Sequence, residues 1–337
     1  MISRRSAVKA LGTLAVALAV TTAGPALAAD PIVIKFSHVV APGTPKGKGA
    51  EKFKELAEKY SNGAVTVEVY PNSQLYKDKE ELEALQLGAV QMLAPSLAKF
   101  GPLGVRDFEV FDLPYIFPDY DALHKVTYGA VGKELFAKLE DKGITGLAYW
   151  DNGFKIMSAN SPVKVPDDFL GLKMRIQSSK VLEAEMNALG AVPQVMAFSE
   201  VYQALQTGVV DGTENPPSNM YTQKMHEVQS HATLSNHGYL GYAVIVNKKF
   251  WDGLPDDVRA NLDKAMLEAT EYANSIAKEE NEAALAAMKE AGRTEFHEMT
   301  EDERAAWVKA LSPVHDEMAE RIGAELIAKV KAETGAM

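Results

Sequence analysis

A seven-residue segment occurs twice in this chain, 120 residues apart. Residues 84–90 read Ala-Leu-Gln-Leu-Gly-Ala-Val and residues 204–210 read Ala-Leu-Gln-Thr-Gly-Val-Val, so five of the seven positions are identical. Each copy predicts an amphipathic helix that ends at a glycine in the left-handed conformation, with a short apolar strand after it. The chain therefore uses one helix-to-strand unit in each of two similar α/β lobes. A cleft between two domains is a common place for a small ligand.

The first 29 residues have the features of a cleaved signal peptide and are set apart from the fold. Arg4 and Arg5 give a basic start, residues 10–21 are apolar, and Ala26-Leu27-Ala28 is typical of a cleavage site. The arginine pair also approximates a twin-arginine motif, so the export route stays open between that pathway and general secretion. An apolar run of about 12 residues is too short to span a bilayer, which takes roughly 20. We therefore expect export to the periplasm.

Composition narrows the possible functions of the exported part. The chain has 337 residues, a formal net charge of -11 at pH 7 and no cysteine. Without cysteine there can be no disulfide, thiolate metal site or cysteine nucleophile. The negative charge makes nucleic acid or an anionic membrane surface a poor partner. A chain of this length exceeds the size at which one hydrophobic core usually keeps growing, so two domains are expected.

Hydrophobic patterns predict strands that alternate with helices, which indicates parallel βαβ units and an α/β fold. In the first lobe the predicted elements are strands 31–38, 65–70 and 90–93, helix 47–60 and a helix that begins near Asp78. In the second lobe they are strands 172–176, 192–197 and 209–210, with helices 181–189 and 199–206. Ser199 is the predicted N-cap of the last of these helices.

Two segments are expected to connect the lobes. An apolar strand at 146–150 leads into the turn-forming residues Asp151-Asn152-Gly153, the first predicted hinge, and a strand at 240–246 leads back. A helical pattern that begins at Pro255 continues without Pro or Gly to about residue 290, long enough to run along both lobes. The predicted division is residues 1–29 as signal peptide, residues 30–152 with about 241–280 as lobe I, and residues 153–240 with about 281–337 as lobe II.

Arg175 is the most informative charged residue of the second lobe. It lies in the predicted strand Lys173-Met174-Arg175-Ile176-Gln177, and parallel strands are usually apolar on both faces. A cation here needs a partner, which could be one of the protein's own carboxylates or a ligand. Ligands of open α/β sheets bind beyond the carboxyl ends of the strands, where Arg175 falls. A guanidinium also matches a carboxylate bidentately, so Arg175 is a candidate carboxylate-binding residue.

The internal repeat supplies further candidates by the same reasoning. The strand at 209–210 runs on toward Asn215, and the matching strand of the first lobe runs on toward Ser96, so the two occupy corresponding edges of the lobes. Asn215 could instead cap a turn before Pro216. His38 ends the first strand and reaches the same edge, with a buried structural histidine as the alternative. His231 and His237 are six residues apart, which matches no common metal spacing, so no metal or cofactor is expected.

Three longer segments are distinctive: Phe111-Asp112-Leu113-Pro114-Tyr115-Ile116-Phe117, Gly171-Leu172-Lys173-Met174-Arg175, and the run from Gln206 to Pro216. They resemble segments of a known family, the extracytoplasmic solute receptors of TRAP transporters. Further segments are similar to the branch that binds C4-dicarboxylates, namely Ser37-His38-Val39-Val40, Thr44-Pro45-Lys46-Gly47, residues 149–155 and Ser235-Asn236-His237-Gly238-Tyr239. The resemblance covers essentially the whole exported chain.

The resemblance implies a two-lobe periplasmic binding protein that captures malate, succinate or fumarate and delivers it to a sodium-coupled membrane permease. It implies that Arg175 binds a carboxylate and that Asn215 helps to hold the ligand. Lys155 stands where some relatives, including sialic-acid receptors, have an arginine, which argues against transfer of their specificity. For the second carboxylate the candidates are Lys46 and His38, with hydrogen bonds from Ser96, Gln177 and His237.

Two other functions remain as alternatives. A receptor for another small organic acid, such as a 2-oxo or hydroxy monocarboxylate, would need a single cationic contact. A periplasmic lyase or hydrolase would need a base positioned near Arg175, and no nucleophile-base pair is visible in the sequence. We therefore expect a binding protein that is not an enzyme.

Overall fold

The computed structural model describes residues 30–336, so the predicted signal peptide lies outside the described residues. This part of the chain is an α/β structure with two sheets. Its strands are β1 (Ile32–Ser37), β2 (Val65–Tyr70), β3 (Met92–Leu93), β4 (Ile144–Phe154), β5 (Ile156–Ala159), β6 (Lys173–Ile176), β7 (Val192–Val195), β8 (Gly212–Asn215), β9 (His231–Thr233), β10 (Tyr239–Asn247) and β11 (Glu295–His297). None of the helices between residues 30 and 336 combines the length and apolar character needed to cross a membrane.

The α-helices alternate with the strands over most of the chain. They are α1 (Pro45–Tyr60), α2 (Glu81–Gln86), α3 (Tyr120–Tyr128), α4 (Ala130–Ala137), α5 (Lys180–Ala188), α6 (Val201–Gln206), α7 (Pro217–Thr222), α8 (Lys248–Asp252), α9 (Asp256–Ala291), α10 (Glu301–Leu311), α11 (Pro313–Glu317), α12 (Ala319–Ile322) and α13 (Ala324–Thr334). Short 3₁₀ turns fill several of the connections, including Leu97–Lys99 and Phe198–Glu200.

Each lobe contains one sheet with parallel and antiparallel pairs. The sheet of lobe I has the order β2-β1-β3-β10-β4, in which β1 is parallel to β2 and β3 while β10 is antiparallel to β3 and β4. The sheet of lobe II has the order β11-β9-β5-β8-β6-β7, in which β6 is parallel to both β7 and β8. The parallel pairs are those that the βαβ pattern predicts.

The chain passes between the two sheets at two places. At Lys155 the end of β4 in lobe I is followed at once by β5 in lobe II. Between β9 and β10 the chain returns through residues 234–238. The two crossings are adjacent, because the Lys155 amide donates a hydrogen bond of 2.8 Å to the Gly238 carbonyl. They form a hinge between the lobes.

Helix α9 is a third connection, 36 residues long, and confirms the long helix predicted from the sequence. It packs on α1 and β4 of lobe I and on α7 of lobe II. Asn281 fixes its position at the hinge: its amide nitrogen donates to the Asn152 carbonyl at 2.7 Å, and its side-chain oxygen accepts from the Ser218 amide at 2.9 Å. One buried side chain therefore joins α9, β4 and α7.

The C-terminal helices contact both lobes. Trp307 of α10 packs against Phe169 in lobe II, with ring centroids 5.2 Å apart. Ile327 and Val330 of α13 are buried in the same apolar cluster as Val126 of α3 in lobe I. The residue boundaries predicted for the two lobes stay a prediction.

The repeated heptapeptide has the same backbone geometry in both copies. Gly88 and Gly208 have φ angles of 77° and 70°, so both are left-handed. The amide after each glycine bonds back to the helix: Ala89 to the Ala84 carbonyl and Val209 to the Ala204 carbonyl, each at 2.9 Å. This is the Schellman pattern that ends a helix at glycine. The predicted helix termini are confirmed.

The strand predicted at 209–210 is wrong in position, because β8 begins only at Gly212. The Val209 and Val210 amides are used to close the end of α6, at 2.9 and 3.4 Å from the Ala204 carbonyl. They are therefore not free to form a sheet ladder, and strand pairing begins later.

The turn predicted at Asp151-Asn152-Gly153 is also wrong, because β4 continues through these residues to Phe154. Their side chains are bonded to the neighbouring strand: the Tyr239 hydroxyl donates to Asp151 and the Asn152 amide donates to the Tyr242 hydroxyl, both at 2.6 Å. These tertiary hydrogen bonds outweigh the local turn preference. The hinge follows two residues later, at Lys155.

The N-cap predicted at Ser199 is wrong as well. Ser199 lies inside the 3₁₀ turn Phe198–Glu200, whose N-cap is Ala197. The Phe198 amide is instead satisfied by the side chain of Asp78 from lobe I. The partner of this amide is distant in sequence, so local patterns do not reveal it.

Candidate functional site

A small cavity lies between the two sheets, at the carboxyl ends of β3, β6 and β8. Its volume is about 20 Å³. Polar side chains from both lobes line it: Asp78, Ser96 and Lys99 from lobe I, and Arg175, Gln177, Asn215 and Asn219 from lobe II. Phe198 and Tyr242 are the aromatic residues of its wall. Of the eight residues predicted for the site, Ser96, Arg175, Gln177 and Asn215 are brought together here.

Arg175 lies in β6 and is 2% exposed. Its Nε and Nη2 atoms donate to the Met196 carbonyl at 3.1 and 2.8 Å, which holds the plane of the guanidinium. A guanidinium has five N–H donors, and these bonds use two of them. Burial lowers the pKa of Arg175 from 12.5 to about 10, so the side chain stays charged at neutral pH. The wall of the cavity therefore contains a positively charged guanidinium group in a fixed orientation.

Asn215 and Asn219 form a polar edge beside Arg175. Asn215 is the last residue of β8, and its side-chain oxygen accepts from the Asn219 amide at 3.5 Å. Asn219 also donates to the Tyr242 hydroxyl at 3.4 Å. The Asn219 side-chain oxygen is buried and has no hydrogen-bond partner among the described residues. A buried acceptor without a partner is costly, so this edge is suited to a ligand that carries a hydroxyl or amide donor.

Lys46 lies behind Tyr242, and neither Lys46 nor His38 lines the cavity. The Lys46 ammonium donates to the Ala94 carbonyl at 2.9 Å and lies 3.7 Å from the centre of the Tyr242 ring. Burial lowers the pKa of Lys46 to about 7, against an opposing effect from the charge of Glu81. Burial and the charge of Lys46 lower the pKa of His38 to about 3, so this histidine is neutral. Neither of its ring nitrogens has a hydrogen-bond partner in the described structure.

Lys99 is a cavity residue that sequence reasoning missed. It is 4% exposed and pairs with Asp78 and with Glu81, the latter at 2.9 Å. Lys99 lies three residues after Ser96, in the 3₁₀ turn that follows β3. Its position just beyond the carboxyl end of a strand is the signal that could have identified it. Burial and the charges of Lys46 and Arg175 lower the pKa of Lys99 well below its usual value, whereas the contact with the Asp78 carboxylate favours the charged ammonium. Lobe I therefore contributes a buried amine, paired with its own carboxylates, to the cavity that contains Arg175.

Lys155 and His237 are placed elsewhere, in a buried cluster at the hinge. The Lys155 ammonium and the His237 Nε2 atom both contact one oxygen of Glu214, at 2.7 and 2.9 Å. The Ser235 hydroxyl contacts His237 Nδ1 at 2.7 Å, and Glu185 lies 3.4 Å from His237. Burial raises the pKa of Glu214, but the charge of Lys155 and the bonds from His237 outweigh this effect and lower it to about 2. The ligand contacts predicted for Lys155 and His237 stay a prediction.

Comparison with known proteins identifies the family. The profile of the bacterial extracellular solute-binding proteins, family 7, matches residues 36–322. The chain belongs to this family. It is a solute-binding receptor of the TRAP type and not an enzyme. The resemblance seen in the sequence is thereby confirmed, as is the two-lobe α/β fold with a long helix across both lobes.

The relatives include proteins with named ligands. The chain is 80% identical to the C4-dicarboxylate-binding periplasmic protein DctP of Rhodobacter capsulatus. The alignment spans 334 residues and covers 99% of each chain. A TRAP periplasmic solute-binding protein from Sulfurospirillum deleyianum with bound succinate has a TM-score of 0.87 and 49% identity, over 89% of this chain and 98% of that one. A Pseudomonas aeruginosa protein with bound L-malate has a TM-score of 0.83 and 44% identity, over 85% of this chain and 100% of that one.

Proposed function

We propose that this protein is the periplasmic receptor of a TRAP transporter for C4-dicarboxylates such as malate, succinate and fumarate. The observation that carries the proposal is the pair of buried basic side chains, Arg175 from lobe II and Lys99 from lobe I, in the wall of one cavity. A dicarboxylate has a negative charge at each end and can pair with both. The relatives with bound succinate and L-malate support the same ligand class.

In this proposal Arg175 binds one carboxylate through its free N–H donors, while Asn215 and Gln177 hydrogen-bond to the same end of the ligand. Charge-assisted hydrogen bonds of this kind contribute roughly 1.5 to 3 kcal/mol each. Ser96 and Lys99 bind the second carboxylate from lobe I. Lys46 adds positive charge from behind Tyr242, and His38 stays neutral.

Binding requires no covalent chemistry. The ligand enters between open lobes, and contacts from both lobes then favour the closed arrangement. The closed receptor is what a TRAP membrane permease would recognise. Residues 1–29 would direct the chain to the periplasm and be removed there.

Calorimetric titration of ligand-stripped protein tests the substrate class. We expect succinate, malate and fumarate to bind tightly, and lactate and pyruvate, which have one carboxylate, to bind at least tenfold more weakly because one end of the cavity stays unpaired. Preference for lactate or pyruvate would instead favour a TRAP receptor for another small organic acid. Conversion of fumarate to malate by the purified protein would contradict a receptor role.

A further inference from the structure

Asp78 makes a contact between the lobes that the ligand site does not require. One carboxylate oxygen pairs with Lys99 in lobe I, and the other accepts the backbone N–H of Phe198 in lobe II. The side chain of Asp78 is only 13% exposed. Lys99 is itself held by the Glu81 carboxyl at 2.9 Å, so another hydrogen bond within lobe I fixes this end of the contact.

A second ion pair lies beside this contact at the surface. Lys77, the residue before Asp78, pairs at 2.9 Å with Glu200, two residues after Phe198. Both side chains are about half exposed. Two consecutive residues of lobe I therefore contact the same short 3₁₀ turn of lobe II, one through a buried carboxylate and one through an exposed ammonium.

The lobe II end of the contact is held by the proposed ligand-binding arginine. Arg175 donates twice to the Met196 carbonyl, and the ring of Phe198 lies 5.9 Å from the guanidinium carbon. Residues 196–198 are thus held on one side by Arg175 and on the other by Asp78. Asp78, Lys99 and Arg175 also line the same cavity, so any ligand there lies next to the contact between the lobes.

We propose that Asp78 is a positioning residue that holds the lobes closed over the bound solute. Lys99 is its anchor in lobe I, the Phe198 amide is its hydrogen-bond donor in lobe II, and the Lys77–Glu200 pair extends the same contact. This inference takes its ligand from the proposed function, but it concerns the closure of the two lobes. A contact present only in the closed form adds its free energy to ligand binding, since closure and binding are linked. The competing explanation is that Asp78 only neutralises Lys99 within lobe I.

The first test is Asp78→Asn, titrated with succinate beside Glu80→Gln as the matched control. Glu80 is exposed and two residues away, so its substitution removes the same charge without touching lobe II. The asparagine keeps the shape but loses the charge-assisted bonds to Lys99 and to the Phe198 amide. We expect about tenfold weaker binding for Asp78→Asn and a change of less than about twofold for Glu80→Gln. Equal affinity of Asp78→Asn and wild type would overturn the proposal.

The second test uses the exposed pair Lys77–Glu200, which does not line the ligand cavity. Lys77→Glu and Glu200→Lys each place like charges opposite one another and should weaken succinate binding about two- to fivefold. The double variant restores an opposite pair and should return to within about twofold of wild type, since neighbouring charges couple in a double-mutant cycle. Additive losses in the double variant would show that the two residues do not act across the lobes.

The third test measures closure directly. The chain has no cysteine, so Leu87→Cys in lobe I and Leu170→Cys in lobe II, both more than three-quarters exposed, take spin labels at two defined sites. At half-saturating succinate, Asp78→Asn should shift the label distances toward the open form. Unchanged label distances, whatever the affinity, would refute the closure role and leave Asp78 as the counter-charge of Lys99 within lobe I. If wild type fails to bind succinate, the proposed function fails, and the same distance comparison on ligand-free protein still decides the role of Asp78.

Discussion

The proposed function depends most on Arg175, and Arg175→Lys is the substitution that tests it. The wild-type guanidinium makes two bonds to the Met196 carbonyl and still has three N–H donors for the ligand. A lysine keeps the positive charge but places all its donors on one nitrogen, so it cannot bond the Met196 carbonyl and both oxygens of a carboxylate in the same geometry. The variant therefore tests the geometry of the guanidinium separately from its charge.

The expected loss follows from the bonds that lysine cannot replace. At least one charge-assisted hydrogen bond to the ligand is lost, at roughly 1.5 to 3 kcal/mol. Since about 1.4 kcal/mol is a factor of ten, succinate should bind about ten- to a hundredfold more weakly. Calorimetry on ligand-stripped protein gives the dissociation constant, and thermal unfolding without ligand checks that the variant is folded.

The matched control is Arg259→Lys, an arginine in α9 that pairs with Asp256 and is distant from the cavity. We expect no change in succinate affinity for this variant. The reasoning would be refuted if Arg175→Lys, folded and stable, bound succinate within about twofold of wild type. Arg175 would then be a structural clamp on the Met196 carbonyl.

Three further predictions concern charge and stability. Succinate affinity should fall several-fold between about pH 7 and pH 9, because the pKa of Lys46 is lowered to about 7 and its positive charge is lost above that pH. Lys46→Met should make this fall shallower by calorimetry, and the part that remains belongs to Glu81, whose pKa burial raises to about 8. Asn281→Ala should lower the free energy of unfolding by about 2 to 4 kcal/mol in urea, since it strands the Ser218 amide and leaves a small cavity. Gly208→Ala should cost about 1 to 2 kcal/mol in the same assay because φ is 70°, whereas Gly43→Ala, which has open space and no positive φ, should change little.

The sequence predicts the fold well where local chemistry decides the structure. The two glycine termini, Gly88 and Gly208, follow from residue type alone, because only glycine adopts the left-handed conformation at little cost. Thr300 and Glu303 form a capping box at the start of α10, and its two hydrogen bonds are equally local because both lie within one turn. Patterns fail at Asp151, where a partner from β10 overrides the turn preference of the local sequence.

The residues of the candidate site likewise divide into those that the sequence predicts and those that it does not. Arg175, Asn215, Ser96 and Gln177 could be predicted because the topology of parallel strands brings their carboxyl ends to one edge. Asp78 could not, because its role depends on the Phe198 amide, 120 residues away and in the other lobe. The sequence does not show which backbone amide will bond to a distant side chain, so such a contact becomes visible only in the folded structure.

Strand β8 explains why polar residues that are neighbours in sequence serve different parts of the molecule. Successive side chains of a strand point to opposite faces. Asn215 lies in the cavity wall, whereas Glu214 joins the buried cluster with Lys155 and His237. Lys155 and His237 lie on the two chain segments that cross between the lobes. Because one backbone connects Asn215 and Glu214, strand β8 joins the wall of the cavity to the ion cluster beside the two chain crossings.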